Sequence, residues 1–167
     1  YEPVKVSSNI KLAFCKDMSE RISQYNLTRE GNTKQQMAYD IAVRYYQASC
    51  YGDCWFLTHY YRSVMDSARS WEKDFAAETV KFLNVSKQSN DQQLRYHSLY
   101  ALAFIPADPW FTTGYDEAND YREVTILHPL SAQYKALAEL DMFVRTSPNA
   151  IDNYARRCDV LRRFRQK

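Results

Sequence analysis

The chain has 167 residues, of which 15% are aromatic and 25% charged, with a formal net charge of +2 and three glycines. That length favours one core over two, so a single domain is expected over 1–167. So small a charge gives no general pull toward an anionic partner, and so few glycines argue against a β-rich fold and against a phosphate-cradling loop.

The first helical pattern begins at Ser7, with Phe14, Met18 and Ile22 four apart on one face, and ends between Asn26 and Asn32 near Gly31. Thr33 followed by Gln36 reads as a capping box for a second helix with an inner stripe of Met37, Ile41, Tyr45 and Ala48. Gly52 interrupts it, and Phe56, Tyr60 and Val64, flanked by Leu57, Tyr61 and Met65, predict a third. Trp71, Phe75, Val80 and Phe82 predict a fourth, running to Val85. Ser89 with Gln92 reads as the cap of a fifth, which carries Leu94, Tyr100, Ala101 and Phe104.

Helical spacing is lost from Ile105 to His128, where Pro106, Pro109, Gly114 and the polar run Asp116 to Asp120 predict one long irregular loop. Within it, the apolar Val124 to Leu127 reads as extended. Pro129 at a helix start, followed by Leu130, Tyr134, Leu137, Leu140 and Val144, restores the period. The pair Ser147 and Pro148 then opens a last helix with Ile151, Tyr154, Cys158 and Leu161 inward. The expected fold class is all-α, about seven helices joined by short links as antiparallel hairpins.

One passage occurs twice. Tyr45, Ala48, Asp53, Trp55, Phe56, Thr58 and Tyr60 recur in order and spacing as Tyr100, Ala103, Asp108, Trp110, Phe111, Thr113 and Tyr115. Two tryptophans matched in such a frame predict a repeated structural unit, with Asp53 and Asp108 capping the turn that follows and the aromatics filling space between hairpins.

Tyr134, Leu137, Ala138, Ala150 and Tyr154 stand at spacings similar to those of the tetratricopeptide repeat, with a weaker copy over 38–49 and 54–68 that keeps Ile41, Ala42 and Tyr45. Asp141 and Arg157 depart from that family's pattern. The resemblance implies a right-handed array of helical hairpins with a concave face for a peptide or protein.

Gly52, Asp53, Cys54 and Trp55 resemble the nucleophile segment of calpain-like, papain-type cysteine proteases. That resemblance implies a Cys54 thiolate paired with His97 or His128, and it places Gln47 one position away from the family's oxyanion glutamine. Against it, the second copy of the passage puts Pro109 where Cys54 stands, and the mostly helical remainder lacks a β-rich half to carry the histidine. Cys50 and Cys54, with Cys15, Cys158 or His59, have no zinc-ribbon or finger spacing, so neither metal nor cofactor is expected. The acidic run at Asp116, Glu117 and Asp120 lacks the frame of a calcium loop.

The basic cluster of Arg156, Arg157, Arg162, Arg163, Arg165 and Lys167 reads first as cations complementing the end of a terminal helix, and only secondarily as a nucleic-acid surface. No apolar run reaches the roughly 18 residues of a membrane span. Because the chain opens at Tyr1, removal of an export leader is compatible with the sequence; otherwise a cytoplasmic protein is expected. The combined expectation is a non-catalytic helical-repeat module that binds or scaffolds a protein or peptide. Trp110, Phe111, Tyr115 and Tyr121 are its candidate binding residues; a Cys54 hydrolase and a nucleic-acid-binding domain are the alternatives.

Overall fold

The computed structural model describes residues 9–66, 73, 75–105, 108–120 and 122–166, with backbone alone at 119 and 153. It is mostly α-helical, with one two-stranded sheet, and it divides into two compact units, Tyr1–Ser89 and Asn90–Lys167.

In the first unit α2 (Asn32–Ala48) packs against both α1 (Ile10–Leu27) and α3 (Phe75–Ser86). Its buried face is Ala38, Ile41, Ala42, Tyr45 and Ala48, the expected stripe widened by small residues that admit a close neighbour. Phe82 of α3 takes Tyr25 edge-on at 5.3 Å and stacks on Tyr45 at 5.9 Å, so one ring ties three helices together. Asp17 of α1 accepts from both Arg21 and Arg44. The Arg21 hydrogen bond, followed by that from Arg44, holds the Asp17 carboxyl below its ordinary value against some desolvation.

The capping box at Thr33 does not form. Gly31, at φ 142°, is the N-cap of α2, a backbone region open chiefly to glycine, and Gln36 bonds Asp40 instead.

After α2 the chain turns back on that helix. The Cys54 N–H donates to the Gln47 carbonyl at 2.9 Å, Trp55–Leu57 forms a 3-10 turn, and the Thr58 hydroxyl donates to the Ala48 carbonyl at 2.7 Å. These bonds satisfy carbonyls at the end of α2. The helix expected through Phe56, Tyr60 and Val64 is absent: residues 59–66 are irregular, and Tyr60, Tyr61, Val64 and Met65 are exposed. Aromatic and β-branched side chains lose rotamer freedom in a helix, and without burial nothing offsets that cost here. Trp71 lies outside the described residues, as does Ala68.

In the second unit α4 (Gln92–Phe104) pairs with α5 (Ala132–Thr146). Asp91 caps α4, its carboxylate accepting the N–H groups of Gln93 and Leu94, while Ser89 is buried outside the helix. Ser131, not the Pro129 region, caps α5, and Leu130 is exposed. The single last helix expected after Pro148 is broken into a 3-10 turn, Pro148–Ala150, then α6 (Asn153–Arg156) and α7 (Asp159–Arg165). Asp152 breaks it by accepting the N–H groups of Tyr154 and Ala155, which starts a new helix. Of the tetratricopeptide-like positions, Leu137 and Ala150 are buried, whereas Ala138 and Tyr154 are exposed.

The expectation of a purely helical chain with an irregular 105–128 loop is corrected by an antiparallel hairpin, β1 (Phe111–Asp116) and β2 (Arg122–Leu127). Phe111 pairs with Leu127 and Asp116 with Arg122. Its turn is set locally: the Asp116 carboxylate accepts the Ala118 N–H, and Asp120 takes the left-handed conformation at φ 57°. Val124 to Leu127 is extended, as expected.

The duplicated passage therefore begins alike and ends differently. Ala48 and Ala103 are both fully buried on their helices, but Trp55 opens a 3-10 turn and Trp110 leads into a strand. Pro109, in the place of Cys54, biases Asp108 toward extended backbone, and Thr112 and Thr113 favour a strand that Val124 to Ile126 can pair.

Candidate functional site

The hairpin stands on a buried tryptophan. Trp110 is 3% exposed and takes Phe164 of α7 edge-on at 5.6 Å. Its N–H donates to the Gln133 side-chain oxygen at 3.1 Å, while the Gln133 amide nitrogen donates to the Ala103 carbonyl at 3.0 Å. One side chain thus satisfies both the start of β1 and the end of α4. The Asp108 carboxylate accepts the Ala132 N–H at 2.7 Å, adding a second acceptor to the start of α5 beside Ser131. Asp108 does act as a cap, though on a helix far along the chain; at the matching place, the N-cap of the 3-10 turn is Cys54 and not Asp53.

The His128 N–H donates to the Trp110 carbonyl at 2.8 Å, which sets the parity of the ladder. Antiparallel pairs alternate, so the residues at 112, 114, 124 and 126 turn their backbone groups inward. Glu123, Thr125 and Leu127 consequently direct theirs away from β1. Every residue of β2 is exposed, and among the described residues no third strand joins this edge.

The side chains of Phe111, Thr125 and Leu127 share the face that meets α7. Arg163 lies over the Phe111 ring at 4.3 Å and donates to the Thr125 hydroxyl at 3.3 Å. Trp110, Thr125, Leu127, Arg163 and Gln166 line a cleft of about 240 Å³. Arg162 pairs with Asp159, and Arg165 donates to Asp141, which Arg145 also contacts. Among the described residues Arg163 has no carboxylate partner. The site therefore presents an open strand edge, an apolar floor and one cation unmatched by an anion.

The structure brings Trp110 and Phe111 together as the foundation of this site, not as exposed anchors. Tyr115, on the Phe111 face of β1, is 70% exposed. Tyr121 lies outside the described residues. Sequence reasoning missed Thr125, Leu127, Arg163 and Gln166; the alternating β-branched run at 124–127 was the available signal, and Arg163 was hidden among cations assigned to a helix end.

Cys54 is half-buried in the first unit, whereas His97 and His128 belong to the second. His97 is exposed on α4 beside Tyr96, and His128 Nε2 lies 2.9 Å from the Thr112 hydroxyl. Gln47 uses its side-chain oxygen on the Asp53 N–H. Cys50 is buried, Cys158 half-buried and Cys15 exposed; among the described residues no three His, Cys, Asp or Glu side chains gather as a metal site. No described helix is long and apolar enough to cross a membrane.

Comparison of the chain with protein-family models, with curated proteins and with solved structures gave no match.

Proposed function

We propose that this chain is a non-catalytic, mostly helical module that binds a protein or peptide, or scaffolds an assembly, through the face formed by the β-hairpin and α7. The observation carrying this reading is β2, exposed along its whole length on a sheet of two strands. An isolated hairpin is marginal in water, and an uncovered edge of β-branched residues is ordinarily blunted or occupied. Here the hairpin is anchored to α7 at one end by the buried Trp110, and Tyr115 and Ile126 add exposed apolar surface. The carboxylates already paired to Arg162 and Arg165 favour this reading over the nucleic-acid alternative.

Photo-crosslinking tests it. A benzophenone side chain placed at Tyr115 or Ile126 should give discrete adducts in extracts of the source cells, and the same group at the exposed Met142 of α5 should not. Equal labelling from all three positions, or none from the hairpin, would overturn the assignment.

A further inference from the structure

We infer that the occupant of the hairpin is an extended peptide segment bearing a carboxylate, which adds to β2 as a third strand and places its acidic side chain against Arg163. This rests on the binding reading above and specifies the chemistry of the partner.

The backbone supplies the first part of the argument. Glu123, Thr125 and Leu127 point their N–H and C=O groups out of the hairpin, and an extended chain laid alongside, about 4.8 Å away, would satisfy them. The β1 edge is the poorer candidate at its start, where Phe111, whose backbone groups face outward, is half-buried beneath Arg163, whereas Glu123, Thr125 and Leu127 are all exposed.

Charge supplies the second part. Thr125 lies in the middle of the open edge, and the guanidinium bonded to its hydroxyl has no carboxylate partner among the described residues and lies over the Phe111 ring. A guanidinium has five donors in a planar fork matched to a carboxylate. The apolar wall of the cleft, Trp110 and Leu127, would hold an aliphatic side chain of the same strand two residues away. Glu123, on the same face and exposed, disfavours an acidic residue opposite the far end of β2. The preferred ligand is therefore acidic near Thr125 and apolar near Leu127.

The test is selection from a random peptide display library against the full chain, followed by anisotropy measurements on the enriched peptides made synthetically. Two variants serve as controls: Arg163→Gln, which removes the exposed cation, and Glu123→Pro, which removes an outward N–H without touching a ladder bond of the hairpin. Both should keep the helical circular dichroism of the parent chain. Enriched sequences that are acidic and β-prone, with affinity reduced roughly tenfold or more by each variant and partly restored by Arg163→Lys, are the expected result. Peptides that lose affinity on Ile126→Ala but carry no carboxylate and ignore Arg163→Gln and Glu123→Pro would overturn this inference and leave the hairpin as a binding face. Failure to enrich any peptide, or binding untouched by every hairpin replacement, would overturn both.

Discussion

The hydroxyl of Tyr96 on α4 donates to the carboxylate of Asp152 at 2.5 Å, joining residues 56 positions apart in the chain. Tyr96 is among the largest fully buried side chains, and Asp152 also caps α6. Removing the acceptor strands a buried hydroxyl and uncaps a helix; removing the donor leaves an exposed carboxylate that water can serve. Asp152→Ala should cost about 1–3 kcal/mol in chemical denaturation and Tyr96→Phe about 1 kcal/mol. The reverse order would show that the pair does not anchor this segment.

The same pair sets a pH dependence. Desolvation raises the Asp152 carboxyl, but the Tyr96 hydrogen bond and the N–H groups of Ala155 and Tyr154 outweigh it and leave its pKa below the ordinary value. A depressed folded pKa contributes stability that is present above the unfolded pKa and lost as pH falls through the folded one. The denaturation midpoint of Asp152→Asn should therefore fall less than that of the parent chain in the acid range, below about pH 4. Tyr96 is shifted the other way, its phenol raised by burial and then by Asp152. Its contribution is complete below about pH 10 and fades above that.

The two matched tryptophans should respond differently to truncation. Trp110 is buried in the aromatic cluster of the second unit, while Trp55 is only half-buried. Trp110→Ala is expected to cost roughly 3–5 kcal/mol and Trp55→Ala less than half of that. Equal midpoints for the two variants would contradict the difference in their settings.

Gly52 is required by close approach. A Cβ built there would lie 2.3 Å from the Gln47 carbonyl oxygen and 2.4 Å from the Gln47 Cα, both backbone atoms. Gly52→Ala should destabilise by about 1–3 kcal/mol, read from thermal denaturation, because the turn has to shift off α2. An unchanged midpoint would show that the turn is not held against the helix.

Asp141 accepts from Arg165 of α7 and Arg145 of its own helix while its side chain is only 13% exposed. Asp141→Ala is expected to cost about 2 kcal/mol or more and, by loosening Phe164 from Trp110, to shift tryptophan emission to the red before global unfolding. Limited chymotryptic digestion of the parent chain should cut first at Tyr60 or Tyr61, which are exposed on irregular backbone. First cleavage within α5 would contradict the assignment of that helix.

What the sequence determined by itself is what neighbouring residues decide among themselves. The period of Met37, Ile41, Tyr45 and Ala48 marks the buried side of α2, and that of Leu137, Leu140 and Val144 marks α5, because a helix closes its bonds within one turn. Only the tertiary structure decided the rest. Thr112 and Thr113 become a strand because Thr125 and Ile126, beyond a turn, complete their ladder. Phe56, Tyr60 and Val64 have helical spacing, but Tyr60 and Val64 are exposed, and the 3-10 turn that holds Phe56 does not continue into an α-helix. Asp108 serves a helix that begins 24 residues later, and Arg163 meets Thr125 across 38 positions. A local pattern states which side chains agree with a given backbone, whereas the hairpin and its cleft depend on which distant groups are available to satisfy them.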